Sequence, residues 1–96
     1  MPELDVLTNS GEQRRLRIVD GPVVIGRGNE SDVVLPDELL SRRHASIGPR
    51  DGEFYLVDLR STNGTFINGE RVVGERRLRH GDLIAVGQTR IYVGML

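Results

Sequence analysis

Ser41, Arg42, Arg43 and His44 occupy four consecutive positions within the stretch LPDELLSRRHASI. A serine three residues ahead of a histidine is compatible with a nucleophile and its base. The same residues are equally compatible with an anion-binding corner, in which guanidinium groups supply charge, a hydroxyl donates to an oxyanion and the imidazole braces the loop. Arg27 stands between two glycines in VIGRGNESD, and RSTNGTFING packs Ser61, Thr62, Asn63 and Gly64 together before returning Asn68-Gly69 one strand later. Such hydroxyl and amide groups bond a loop's own backbone or present donors to a ligand. These residues alone leave both uses open.

Several chemistries are disfavoured at once. Gly26-Arg27-Gly28 has the look of a phosphate-cradling glycine loop, but that fingerprint needs a helix opening directly after it. Here NESDVVLP leads into another strand. A Ser-His hydrolase lacks the G-x-S-x-G elbow around Ser41 and an obvious orienting acid, although partners in such a triad can come from anywhere in the chain. His44 and His80 are the only histidines and there is no cysteine. Disulfides, thiolate metal sites and a cysteine nucleophile are therefore excluded, and a histidine metal site is unsupported. The expectation is a non-enzyme that carries no metal and no cofactor.

The formal net charge of −1 offers no global attraction to nucleic acid or anionic membranes, so any anion site must be local. All 13 basic residues are arginines. That usage fits a GC-rich genome, and it also fits planar, bidentate recognition of phosphate. Arg76, Arg77 and Arg79, like Arg14, Arg15 and Arg17, read as edge strands defended by charge rather than as a nucleic-acid patch. The four aromatic residues all fall in strand-like runs, which leaves no stacking platform for bases. No apolar run approaches the roughly 18 residues of a membrane span, and MPELDVLTNSG is too acidic and polar for a signal peptide. The expected setting is cytoplasmic, away from membranes.

The elements that must position these loops are short. Twelve glycines divide the chain, and no stretch keeps a helical stripe. ELDVL and RLRIV, separated by TNSGEQ, look like a hairpin. PVVIG, DVVL, HASI, EFYLVDL, TFI, RVV, LIAVG and RIYVGML follow between turn signals. This spacing predicts an all-β sandwich or barrel. Asn68-Gly69 predicts a two-residue hairpin turn with positive φ at both positions. Pro22 should start a strand, and Pro36 and Pro49 should follow strands. EFYLVDL, apolar on both faces, predicts an interior strand. Residues 1-96 read as a single domain, large enough to bury roughly 65% of its unfolded surface.

Gly26-Arg27, Ser41…His44, Asn63-Gly64-Thr65 and Asn68-Gly69, in this order and spacing, resemble the motifs of the forkhead-associated (FHA) domain. The resemblance runs from about residue 18 to residue 96 and implies a sandwich of two twisted, mainly antiparallel sheets with about eleven strands. It implies a phosphothreonine-peptide recognition module of Ser/Thr kinase signalling, binding through loops at one end. By this resemblance Arg27, Ser41, Arg42 and Thr62 contact the phosphate, and Asn63 bonds the peptide backbone. His44 becomes a loop brace rather than a base, alongside Gly26, Gly64, Asn68 and Gly69, with the glycines supplying tight turns or positive φ. Leu39 and Leu40 stand where the family reads the peptide and imply an apolar preference at the third residue after the phosphothreonine. Charge-assisted hydrogen bonds contribute roughly 1.5–3 kcal/mol each. Three or four outweigh an association cost of about 4 kcal/mol by enough for micromolar binding, about −8 kcal/mol. The alternative is an interaction module that docks partners through a sheet face without phosphate.

Overall fold

The computed structural model describes residues 2–96, in which eleven strands and no helix form. In chain order these are β1 (Glu3–Leu7), β2 (Gln13–Arg17), β3 (Val23–Gly26), β4 (Val33–Val34), β5 (Ala45–Arg50) and β6 (Glu53–Asp58). They continue with β7 (Thr65–Ile67), β8 (Glu70–Arg71), β9 (Glu75–Arg77), β10 (Leu83–Val86) and β11 (Thr89–Val93). One sheet has the spatial order β2-β1-β11-β10-β7-β8, the other β4-β3-β5-β6-β9. All pairings are antiparallel except that of β3 with β4. The expected all-β sandwich of two mainly antiparallel sheets is what the chain forms. Among the described residues no helix is long and apolar enough to cross a membrane.

Alternation along the strands builds the core. In β11, Thr89, Ile91 and Val93 are buried while Arg90 and Tyr92 face out, the period-two pattern of a half-buried strand. Leu4, Ile25, Leu56, Ile84 and Ile91 are fully buried between the sheets, each stabilising the fold by roughly 1.5–3 kcal/mol. β6 pairs with β5 on one side and β9 on the other, as its two-sided apolar sequence requires.

Turn chemistry sets the registers. Asn68 and Gly69 have φ of 51° and 87° and join Ile67 to Glu70 across the β7–β8 hairpin. Asp51 and Gly52, with φ of 53° and 79°, join Arg50 to Glu53 in the same manner. Two boundaries differ from expectation. Pro49 lies inside β5, paired with Phe54, instead of following the strand. Pairing of β5 with β3 ends at Ile47, so the missing N–H of Pro49 falls where only one neighbour remains. In the RVV run only Arg71 belongs to β8; Val72 turns into the core, and Val73 is exposed.

The arginine-rich segments are edge strands. In β2, Arg15 and Arg17 sit directly opposite Asp5 and Glu3 of β1 and pair with them at 3.0 Å each. In β9, Arg76 pairs with Glu70 at 3.2 Å and Arg77 with Glu53 at 2.8 Å. Exposed pairs of this kind add at most about 1 kcal/mol each. They do discourage other strands from docking on the open edges.

Candidate functional site

Three loops meet at one end of the sandwich: residues 27–32 between β3 and β4, 35–44 between β4 and β5, and 59–64 between β6 and β7. Backbone hydrogen bonds stitch the first two together. Arg27 N–H donates to Ser41 O and Gly28 N–H to Arg42 O, both at 3.0 Å. Ser31 Oγ donates to the same Arg42 carbonyl at 2.6 Å. Gly26 is needed at this seam for close approach, since a Cβ there would lie 2.2 Å from Arg42 O. It has no positive φ, which corrects the expectation of a turn glycine. Gly64 and Gly69 do adopt positive φ, 91° and 87°.

His44 locks the second loop to the third. It is fully buried. Its Nδ1 accepts the backbone N–H of Ser41 at 3.0 Å, so its Nε2 carries the proton and donates to Gly64 O at 2.9 Å. Both ring nitrogens are thus engaged, and neither bonds the Ser41 hydroxyl. The pair is no nucleophile and base. Ser41 Oγ instead accepts the backbone N–H of Thr62 at 3.0 Å, which leaves its own O–H free to donate. Asp58 secures the third loop by accepting from Ser61 Oγ at 2.6 Å and Thr65 Oγ1 at 2.7 Å.

Arg27, Ser41, Arg42, Thr62 and Asn63 line one groove of about 330 Å³, together with Glu38 and Leu39. Arg27 Nε donates to Leu40 O at 3.2 Å. Among the described residues its terminal nitrogens have no acidic partner. Asn63 Nδ2 donates to Leu39 O at 2.7 Å, tying the rim of the groove across. Thr62 is exposed, with its hydroxyl facing no protein partner. Arg42 is held differently. Its Nε and a terminal nitrogen grip Glu30 at 3.1 and 3.3 Å, and this bidentate contact holds the Glu30 carboxyl below the usual carboxylate range. Gly28 makes room for that contact, because a Cβ there would collide with Glu30 Oε1.

One sequence expectation changes here. Leu40 is buried in the core at 2% exposure and reaches the groove only through its carbonyl, because the loop turns its side chain inward to cover the sandwich end. Leu39, 45% exposed, is the leucine whose side chain faces out. Asn68 is away from the groove. It braces the β7–β8 turn on β10, with Nδ2 donating to Asp82 Oδ1 and Oδ1 accepting from Leu83 N–H, each at 3.0 Å. Sequence reasoning missed Glu30, Ser31, Asp37 and Asp58. Each bonds a partner in the loops, and polar side chains of this type carry no local signal of which distant segment they reach.

A larger groove runs along the outer face of the first sheet, past Leu7, Leu83, Tyr92, Arg15 and Arg90. Its arginines are already engaged, Arg14 by Glu12, Arg15 by Asp5 and Arg90 by the carbonyls of Gly87 and Thr89. The loop groove, in contrast, presents a free guanidinium edge and free hydroxyls within one small concavity.

The comparisons with known proteins point to one family. The family model described as the FHA domain matches residues 23–87. FHA domain-containing protein FhaB of Mycolicibacterium smegmatis is 39% identical over 77 residues, which cover 80% of this chain and 50% of that protein. FhaA of Mycobacterium tuberculosis is 39% identical over 87 residues, covering 91% of this chain and 16% of that protein. The chain spans about half the length of FhaB. The FhaA FHA domain solved in complex with the intracellular domain of Rv3910 superposes with a TM-score of 0.85 at 38% identity, over 97% of this chain and 99% of that one. A domain from a structural and functional analysis of phosphothreonine-dependent FHA domain interactions gives 0.79 at 38% identity, over 98% and 97%.

Proposed function

This chain belongs to the FHA-domain family, and on that premise we infer that its loop groove holds the phosphate of a phosphothreonine peptide. The domain is a phosphothreonine-recognition module of Ser/Thr kinase signalling, a protein-interaction module and not an enzyme. Phosphothreonine brings close to two negative charges and three strong acceptors. The unpaired edge of Arg27 answers with charge and two N–H donors. Ser41 gives a hydroxyl donor, Thr62 a second, and Arg42 further charge once it leaves Glu30. Asn63, fixed across the rim, bonds the peptide backbone beside the phosphothreonine. Leu39 gives the neighbouring part of the groove an apolar wall. An upstream Ser/Thr kinase supplies the modification, and the setting is the cytoplasm, with neither nucleic acid nor membrane as partner.

The observation that carries this reading is the free guanidinium edge of Arg27 beside the free Ser41 O–H in one groove. Fluorescence anisotropy against a degenerate phosphothreonine peptide library, with phosphoserine and unmodified threonine versions, tests it. Saturable binding should be confined to phosphothreonine, and Arg27→Ala should weaken it at least a hundredfold without lowering thermal stability. Wild-type protein that is folded yet binds none of the peptides would refute the reading. The second reading, phosphate-independent docking on a sheet face, draws on the outward Leu7, Leu83 and Tyr92, each 42–45% exposed. Partner capture unaffected by Arg27→Ala would favour it.

A further inference from the structure

Asp37 is a buried carboxylate that the phosphate-binding roles above do not use. It is 1% exposed, and among the described residues no arginine or histidine pairs with it. Its partners are neutral donors. Oδ1 accepts Leu39 N–H at 3.0 Å, while Oδ2 accepts Gln88 N–H and Thr89 Oγ1–H, both at 2.8 Å. The bond to Leu39 is a local turn of the kind aspartate makes anywhere. The other two are not local, because Gln88 and Thr89 lie in the β10–β11 turn and at the start of β11. Thr89 is itself fully buried.

Burying an ionised carboxylate is costly unless its lone pairs are met, and a surface turn would form without burial. The carboxylate therefore acts as a rivet between the loop of residues 35–44 and the β10–β11 turn. Gly87 presses on the same rivet from the far side: its φ is +55°, and a Cβ there would lie 2.7–3.0 Å from the Asp37 carboxylate. The rivet sits directly before the groove's wall. Leu39 O receives Asn63 Nδ2, Leu40 O receives Arg27 Nε, and Ser41 follows. Leu40 N–H in turn bonds Asp37 O at 3.1 Å. Moving Asp37 thus moves the acceptors that aim both Arg27 and Asn63.

We propose that Asp37, held by Gln88 and Thr89 against Gly87, is a positioning residue of the phosphopeptide site, so that the β10–β11 turn sets peptide affinity and selectivity without touching the peptide. This rests on the phosphothreonine reading and adds to it a fourth loop. A binding constellation must be held within about 0.5 Å of its productive geometry by the groups behind it, so the effect belongs in binding rather than in stability alone.

The test uses the full chain with Asp37→Asn, Thr89→Val and Gly87→Ala, and Val93→Ala as a core variant at the opposite end of β11. Phosphopeptide affinity is read together with the ratio between peptides carrying an apolar or an acidic third residue. Amide hydrogen exchange is followed at Leu39, Ser41 and Gln88. Asp37→Asn should weaken binding at least tenfold, and Thr89→Val, which removes one donor, about threefold. Gly87→Ala should match Asp37→Asn, all three should flatten the selectivity ratio, and exchange at the three amides should accelerate. Val93→Ala should leave affinity and ratio at the wild-type level despite a lower melting temperature. Unchanged affinity and ratio in Thr89→Val and Asp37→Asn, or equal losses in Val93→Ala, would overturn the proposal. If Asp37→Asn fails to fold, Thr89→Val and Gly87→Ala decide it. If the wild type binds no phosphopeptide, the phosphothreonine reading falls, and unchanged exchange in Thr89→Val would separately refute the rivet.

Discussion

The two arginines of the groove are in opposite states. Arg27 offers an open edge, whereas Arg42 is already gripped by a carboxylate on the neighbouring loop. Glu30 and an incoming phosphate make the same demand on the same guanidinium. The contact also draws the Glu30 carboxyl toward its charged form, below the ordinary carboxylate range, so Glu30 stays ionised throughout the neutral range and pH does not release Arg42 there. Removing the charge should. Glu30→Gln is expected to tighten phosphopeptide binding about three- to tenfold, and the gain should vanish in an Arg42→Ala background, as a double-mutant cycle would record. Weaker binding in Glu30→Gln would mean instead that Glu30 holds Arg42 in its binding pose. Arg27, Ser41 and Asn63 could be found from sequence because their motif spacing is ordered. Glu30 and Asp37 could not. Their partners lie 12 and more than 50 residues away, and nothing in the ES and DE dipeptides they open announces that distance.

Among the elements, the loops depend on strand ends that approach unusually closely. Gly26 closes β3 where the carbonyl of Arg42 comes in, and that carbonyl already accepts from Gly28 N–H and Ser31 Oγ. Gly26→Ala places a methyl 2.2 Å from it. Backbone cannot yield as a side-chain tip does, so the expected loss is about 2–3 kcal/mol in urea denaturation, with phosphopeptide binding impaired in whatever remains folded. A midpoint equal to wild type would show that the two loops separate freely. Turns were the most readable elements, since Asn68-Gly69 and Asp51-Gly52 specify their φ by local chemistry alone. Strand limits were less so. Pro49 is accommodated in β5 only because β3 stops short of it, a tertiary fact, and Leu40 looked like a reader of peptide because burial of a loop residue depends on what lies beneath it.

At the scale of the whole molecule, long-range pairing dominates. β1 pairs with β11, Leu4 opposite Val93 and Leu7 opposite Arg90, so the first sheet cannot close until nearly the entire chain has been gathered. Non-local topologies of this kind fold in roughly milliseconds to seconds. Stopped-flow refolding should resolve such a phase, and relaxation completed within the mixing time would contradict it. The same pairing fixes where Thr89 meets Asp37, so the recognition end and the last strand are completed together.

The β1–β11 seam also has a mechanical meaning. Glu3 N–H bonds Met95 O at 2.8 Å and Gly94 N–H bonds Glu3 O at 2.9 Å, so tension applied through these two points enters at a single corner. Antiparallel hydrogen bonds lie across the strands, and a load entering at that corner opens them one after another, as a zipper opens, instead of shearing them together. The tear runs from Glu3 toward Leu7 and reaches Arg90, the neighbour of Thr89, only at its end. Under such a load the Glu3–Met95 corner opens before the Leu7–Arg90 end of the seam.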